Sequence, residues 1–294
     1  MKVINKKHQY RPVIYFALAF AITWINGFFL AVQSHHGGDK SIINLMLAYM
    51  GPLIAALIMM YVFADGTFRA DFRRRIYDPK LINKNYLPFV LFFLPLAMVI
   101  SILISIAFGQ PAEQLCVSED LKVFEGEAVL SVAVLALVPV LEELGWRGYG
   151  VDSLASKYNL FSASIIFGIL WAIWHLPVFF IKGSYQLSLW EQNPLFAINF
   201  FVGILPLAII MNYLYYMNQR SITLLALFHV IVNFSSELLE ANQISKCILT
   251  FVLIVAAAAI VVRNRRFFFV DKMNLDITDS SRRGTTASDI GRST

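Results

Sequence analysis

The amino-acid sequence predicts an all-α polytopic membrane protein of about eight transmembrane helices, with a buried polar site in its core helices. Three observations carry that expectation. Hydrophobic residues make up 58% of the chain and charged residues 15%, far from the balance of a soluble domain. Apolar runs close to the roughly 20 residues that a span needs recur along the chain. Lys and Arg gather in alternate connections, the bias that keeps short basic loops on the cytoplasmic side.

The runs lie near 13–33, 42–63, 87–108, 128–149, 160–181, 195–217, 222–240 and 246–262. The first has a basic start, but it is about 20 residues long and lacks a small-residue cleavage site before Ser34, so a retained span is expected. After the second, TFRADFRRRI (67–76) spaces Phe68, Phe72 and Ile76 by four, predicting a short interfacial helix with arginines on its other faces. The third and sixth rest on the apolar run alone. The fourth, fifth and seventh are interrupted by polar groups. The eighth is short but uncharged from Cys247 to Val262.

Lys2, Lys6, Lys7 and Arg11 precede the first span. Arg69, Arg73, Arg74, Arg75, Lys80 and Lys84 follow the second, and Arg263, Arg265 and Arg266 the last. All fall on one side. The other connections carry Asp39, Glu113, Glu119, Asp120, Glu125, Glu127, Glu191, Glu237 and Glu240 with few basic residues. An even number of spans then puts both termini in the cytoplasm of a multi-pass plasma-membrane protein. The net charge of +5 implies anchoring to anionic headgroups of the lipid bilayer, and its spread over membrane flanks argues for no nucleic-acid partner. Cys116 and Cys247 fall on the non-cytoplasmic side and are expected as isolated thiols. One transmembrane domain over 1–270 and a disordered cytoplasmic tail over 271–294 complete the expected organisation.

A charge at membrane depth costs several kcal/mol, so charged residues inside spans persist mainly where they pair, line a wet cavity or do chemistry. In VPVLEELGWRGYG of the fourth run, Glu143 and Arg147 are four apart and share a helix face, acid before base. Glu142 points about 100° away, toward the interior. Pro139 can kink the helix and open space beside the acids. In the fifth run Trp171 lies one turn before His175, and Pro177 distorts the chain just after it. In the seventh, His229 and Asn233 are four apart and aim at one point. An acid, two histidines and an amide from three helices are the parts of a hydrolytic site: a base for water and donors for an oxyanion.

Depth raises a conflict. Counted from the run ends, Glu142 and His229 lie one to two turns from the basic, cytoplasmic side, where the site is expected to open. His175 lies about 20 Å from the start of the fifth run at 1.5 Å per residue. The fifth helix is therefore expected to start several residues after Leu160.

EELGWR, WAIWH and HVIVN, in that order, resemble the three motifs of the CAAX protease and bacteriocin-processing family of intramembrane proteases: EExxxR, an aromatic residue four before a His, and HxxxN or HxxxD. The resemblance covers about 120–240. It implies that Glu142 is the catalytic glutamate, that His175 works with it on the attacking water, and that His229 and Asn233 hold the oxyanion. Glu143 and Arg147 become supporting residues. The family's second-motif aromatic, most often Phe, is Trp171 here, which is expected to narrow the cavity without touching the chemistry. Family members are described as metalloproteases, and Glu142, His175 and His229 could ligate Zn²⁺ with an open fourth position. They come from three helices without HExxH spacing, however, and a glutamate that activates water directly needs no ion. Catalysis without a cofactor is preferred, with Zn as the alternative.

Eukaryotic members cut after a prenylated cysteine near a C-terminus, whereas prokaryotic members are associated with bacteriocin immunity, peptide maturation and surface proteins. The short loops resemble the prokaryotic type, so the expected partner is a membrane-embedded or lipid-linked peptide. Two other classes stand beside this one: a non-enzymatic immunity or scaffold protein, and a proton- or ion-coupled transporter. Intact motifs argue against the first, and the lack of an internal repeat against the second.

Overall fold

The computed structural model describes residues 10–37, 41–118 and 127–269. Lys2, Lys6, Lys7, Asp39, Glu119, Asp120, Glu125 and the expected tail at 271–294 lie outside the described residues. The described chain is almost wholly helical, and every apolar run becomes a helix. These are α1 (Pro12–His35), α2 (Ile42–Val62), α4 (Leu87–Ala107), α5 (Glu127–Gly145), α7 (Leu160–Trp174), α9 (Pro194–Met217), α10 (Ile222–Glu237) and α11 (Gln243–Arg263). Shorter helices lie between and after them: α3 (Gly66–Tyr77), α6 (Val151–Ala155), α8 (Tyr185–Gln192) and α12 (Arg265–Phe269). The starts follow from capping chemistry. The side chains of Ser41, Asp65, Asn159, Asn193, Ser221 and Asn242 each accept a backbone N–H in the first turn of the helix they precede.

By length and composition six helices can cross a membrane: α1, α2, α4 with its lead-in, α7 with the turn that follows it, α9 and α11. The two long helices outside that group are α5, which carries Glu142 and Glu143, and α10, which has 16 residues and carries His229 and Asn233. Two of the three helices that bear the polar groups thus fall outside that group, and the third, α7, falls within it. Neighbours run α1, α2, α5, α10, α4, α11, α9, α7, closing back on α1 through the 3₁₀ turn Leu176–Phe180. This ring surrounds a cavity of about 1460 Å³.

The depth conflict between Glu142 and His175 disappears, and not in the way the sequence suggests. α7 starts at Leu160, capped by the Asn159 side chain on Ser162 N at 2.8 Å, so the expected later start is wrong. The error lay in the fourth run. Its helix does not stop near 149 but passes through a π turn (Trp146–Gly150) into α6 and ends at Ala155. Glu142 is therefore about 20 Å, and His175 about 22 Å, from the same end of the bundle at 1.5 Å per residue. A π turn frees carbonyls that a regular helix would satisfy. Here Arg75 donates to two of them, Arg147 O at 2.7 Å and Gly148 O at 3.1 Å.

Arg75 also corrects the reading of α3. Phe68 is buried and Phe72 and Ile76 pack on the core, as their spacing predicts. Arg75 is not on a solvated face but fully buried. It pairs with Asp71 at 2.9 Å and Asp152 at 3.1 Å, and Arg220 pairs with both acids from the turn between α9 and α10. Gln219 and Arg220 hold φ of 50° and 68°, left-handed values that side-chain-bearing residues adopt only when surrounding contacts enforce them. The hydroxyls of Tyr215 and Tyr216 donate to Asp152 at 3.2 and 3.0 Å. This cluster ties α3, α6, α9 and the start of α10 together at one end of the bundle. Cys116 and Cys247 are free thiols, as expected.

Candidate active site

Three helices bring the polar groups to one wall of the cavity. From α5 come Glu142 and Glu143, 5% and 0% exposed. One oxygen of Glu142, Oε2, accepts two indole N–H groups: Trp146 Nε1 at 3.3 Å from the next turn, and Trp171 Nε1 at 3.0 Å from α7. Its other oxygen has no hydrogen-bond partner among the described residues and lines the cavity with the rest of the side chain. Trp171 therefore does more than fill space. A Phe at that position could pack there but could not donate this hydrogen bond, a contact the sequence expectation did not include.

Trp171 is also the hub on which the histidines rest. Its carbonyl accepts from His175 Nδ1 at 2.8 Å, and its ring meets the His229 ring edge-on at a centroid distance of 5.3 Å. A carbonyl only accepts, so His175 Nδ1 carries the hydrogen and neutral His175 presents the Nε2 lone pair. His175 itself is the C-cap of α7, with φ −74° and ψ −6°. Pro177 has no N–H to continue the helix, so the chain turns there and the ring is left projecting from the helix end.

Glu143 and Arg147 form the expected pair, with Arg147 Nη1 donating to Glu143 Oε1 at 2.8 Å. The same oxygen accepts from His229 Nδ1 at 2.9 Å, a link the sequence does not reveal. Arg147 is further held by Asn212 Oδ1 at 3.2 Å and lies 5.0 Å from the centre of the Phe167 ring. Glu143 thus orients the His229 ring, leaving Nε2 free: a donor when the ring is an imidazolium, an acceptor when it is neutral. Asn233 lines the cavity one turn further along α10, and its amide has no hydrogen-bond partner among the described residues. All four expected catalytic positions therefore meet on one surface.

Two further observations bear on the expected site. Among the described residues no three His, Cys, Asp or Glu side chains are grouped as a metal ion requires. The cavity wall does not extend to the basic end of the bundle, where the site is expected to open. The cavity is lined at one end by Tyr185, Glu237, Gln243 and Lys246, from α8, the end of α10 and the start of α11. The basic α3 meets the opposite end of α10, where Thr223 Oγ1 donates to Ile76 O.

Sequence reasoning missed Trp146, Asn212 and the Asp152 cluster. Trp146 stands four after Glu142, a spacing that places it over the acid. Asn212 is a polar residue inside an apolar run, a signal of the same kind as Asn233.

Comparison with known proteins bears on the same segment. The family model described as type II CAAX prenyl endopeptidase Rce1-like matches residues 124–235, which hold Glu142, His175, His229 and Asn233. CAAX prenyl protease 2 of Methanococcus maripaludis is 37% identical over 265 residues, covering 89% of this chain and 97% of that protein.

Proposed function

The chain belongs to the Rce1-like CAAX prenyl protease family, a family of membrane endopeptidases, and from that premise we propose that it hydrolyses a peptide bond inside the bilayer by direct activation of water at Glu142. The observation that carries this reading is the asymmetry of Glu142. Two indole donors occupy Oε2, and Oε1 is left toward the cavity beside His175.

In the proposed reaction a water donates one hydrogen bond to Glu142 Oε1 and the other to His175 Nε2, which aims its lone pair at the scissile carbonyl. Attack transfers the water proton to Glu142 and puts the negative charge on the carbonyl oxygen. That oxyanion accepts from Asn233 Nδ2–H and faces the His229 ring held by Glu143. Collapse of the tetrahedral intermediate breaks the C–N bond, and Glu142 returns its proton to the leaving nitrogen. No step is assigned to a metal. The substrate class is a membrane-embedded or lipid-linked peptide, for which the largely apolar wall of the cavity is suited. By the Lys and Arg distribution we place both termini in the cytoplasm, which turns the cavity mouth to the other face of the plasma membrane.

Purified protein reconstituted in liposomes should release a peptide fragment, identified by mass spectrometry, from a prenyl-cysteine peptide or a transmembrane peptide. An immunity protein or a transporter would leave both intact.

A further inference from the structure

Between the end of α2 and α3, at the basic end of the bundle, lies a second cavity of about 390 Å³, within the roughly 300–1,000 Å³ of small-ligand sites. It shares no lining residue with the cavity of the candidate active site. Arg69 and Arg73 line it, four apart on one face of α3 and about 6 Å apart along its axis. The arginines of α3 divide by what they meet. Arg74 pairs with Asp78 at 3.8 Å, and Arg75 with Asp71 and Asp152. Arg69 and Arg73 have no acid within ion-pair distance among the described residues.

Arg69 is nonetheless held in place. Its Nη1 donates to Met60 O and Ala64 O, each at 3.1 Å, and its guanidinium lies 5.5 Å from the centre of the Tyr61 ring. Two carbonyls use both hydrogens of Nη1 and leave Nε and Nη2 to other acceptors. Asp65, the nearest acid in sequence, is turned to the first turn of α3, where its Oδ1 accepts from Thr67 N and Phe68 N at 3.0 Å. The remaining wall is apolar and faces the bilayer. Leu57 and Tyr61 line the cavity and are 37% and 71% exposed, on a helix whose buried face packs on α1 and α5. A tyrosine at the end of a span marks the headgroup level. What fits is a molecule with an anion at one end and hydrocarbon directly beside it.

We propose that this cavity binds one anionic glycerophospholipid, with its phosphate between Arg69 and Arg73 and an acyl chain along Leu57 and Tyr61. Guanidiniums suit a phosphate because each offers two parallel donors to its oxygens. The bound lipid ties the end of α2 to α3. Phe72 carries the effect inward, since it lines the same cavity and packs so closely on the π turn that a Cβ at Gly148 would stand 2.9 Å from its ring. The site holds one lipid in a defined place, unlike the diffuse attraction of any basic flank to an anionic surface. It is independent of the peptidase reading above.

The test titrates the full-length protein in neutral detergent with phosphatidylglycerol or phosphatidylcholine, counts retained lipids by native mass spectrometry and reads melting temperature on the same samples. Wild type should retain one phosphatidylglycerol about tenfold more tightly than phosphatidylcholine, the size of a hydrogen bond to a charged group, and should melt higher with it. Arg69→Gln combined with Arg73→Gln should erase the preference. Because Arg69 also holds α2, the deciding variant is Arg73→Gln, which breaks no hydrogen bond or ion pair among the described residues and should cut the preference several-fold. Arg74→Gln changes the net charge equally, one residue away, and should leave the preference intact. Equal retention of the two lipids by wild type, or equal losses with Arg73→Gln and Arg74→Gln, would overturn the proposal. Displacement of phosphatidylglycerol by inorganic phosphate or glycerol 3-phosphate at matched concentration would assign the site to a soluble anion and overturn it as well.

Discussion

Glu142 Oε2 receives two indole N–H groups and Oε1 none, and that single asymmetry decides what the carboxylate can do. Of the two donors, Trp171 also carries His175 on its carbonyl, so one residue sets the base and its partner at once. Trp171→Phe keeps an aromatic ring but removes the donor. The expected result is a fall in kcat of about tenfold with little change in KM, the size of one hydrogen bond to a charged group. A fall confined to KM would mean that Trp171 shapes the cavity and nothing more. Asn233 has a simpler environment, an amide facing the cavity with no partner among the described residues. Asn233→Ala should lower kcat by about 10²- to 10³-fold, the usual effect of losing an oxyanion donor, with melting temperature unchanged. The Glu143–Arg147 pair was legible because i,i+4 geometry depends only on spacing. The Glu143–His229 bond was not, because it joins residues 86 apart in sequence and depends on how α5 and α10 pack.

At the level of elements, apolar run length located every long helix, while the register of the site depended on features that run length does not contain. The π turn after Gly145 is one. Its residues, Trp146–Gly150, include Gly148 and Gly150, which read as a helix end, so the extra helix length in α6 was invisible and the acids were placed too near an end. The start of α7 was legible in Asn159, a good N-cap, but the weakly apolar sequence after it suggested a later start. Packing of α5 on α2 is close enough that a Cβ at Gly145 would overlap the Pro52 backbone. Gly145→Ala should therefore destabilise the protein by about 1–3 kcal/mol, read as a lower melting temperature in detergent. The Asp152 cluster behaves differently, because its loss leaves charges unpaired. Asp152→Asn strips Arg75 and Arg220 of a shared partner and should cost about 3–5 kcal/mol, enough to reduce accumulation in the membrane. In the same cluster burial pushes the Asp71 carboxyl up, and Arg220 and Arg75 more than offset it, so the group stays below the ordinary carboxylate range. A depressed carboxyl contributes stability that is complete above the unfolded value near pH 4 and is lost as pH falls through the folded one. Melting temperature should thus drop below about pH 4, and Asp71→Asn should flatten that drop.

Over the whole molecule, the ring of helices places the ion cluster at one end and the cavity mouth at the other, with the reacting groups between. The basic residues were legible as a sidedness signal, but which end the cavity reaches is a property of assembled helices and cannot be read from any one of them. After replacement of Cys116 and Cys247, a cysteine at Gln186 should react with a membrane-impermeant thiol reagent on intact cells. A cysteine at Arg73 should react only once the inner face is opened. The reverse pattern would put the mouth in the cytoplasm and invert the proposed topology.

In the proposed reaction Glu142 is the base and Glu143 the support, and the two carboxylates are adjacent in sequence but engaged by different partners. The most direct measurement compares turnover and melting temperature of Glu142→Gln and Glu143→Gln in the same liposome assay. Glu142→Gln should abolish cleavage while melting like wild type, since the amide is nearly isosteric but takes no proton from water. Glu143→Gln should lower the melting temperature, because Arg147 and His229 lose a charged partner in a buried setting. Cleavage by Glu142→Gln above a tenth of the wild-type rate, or a normally stable Glu143→Gln that is wholly inactive, would contradict the assignment.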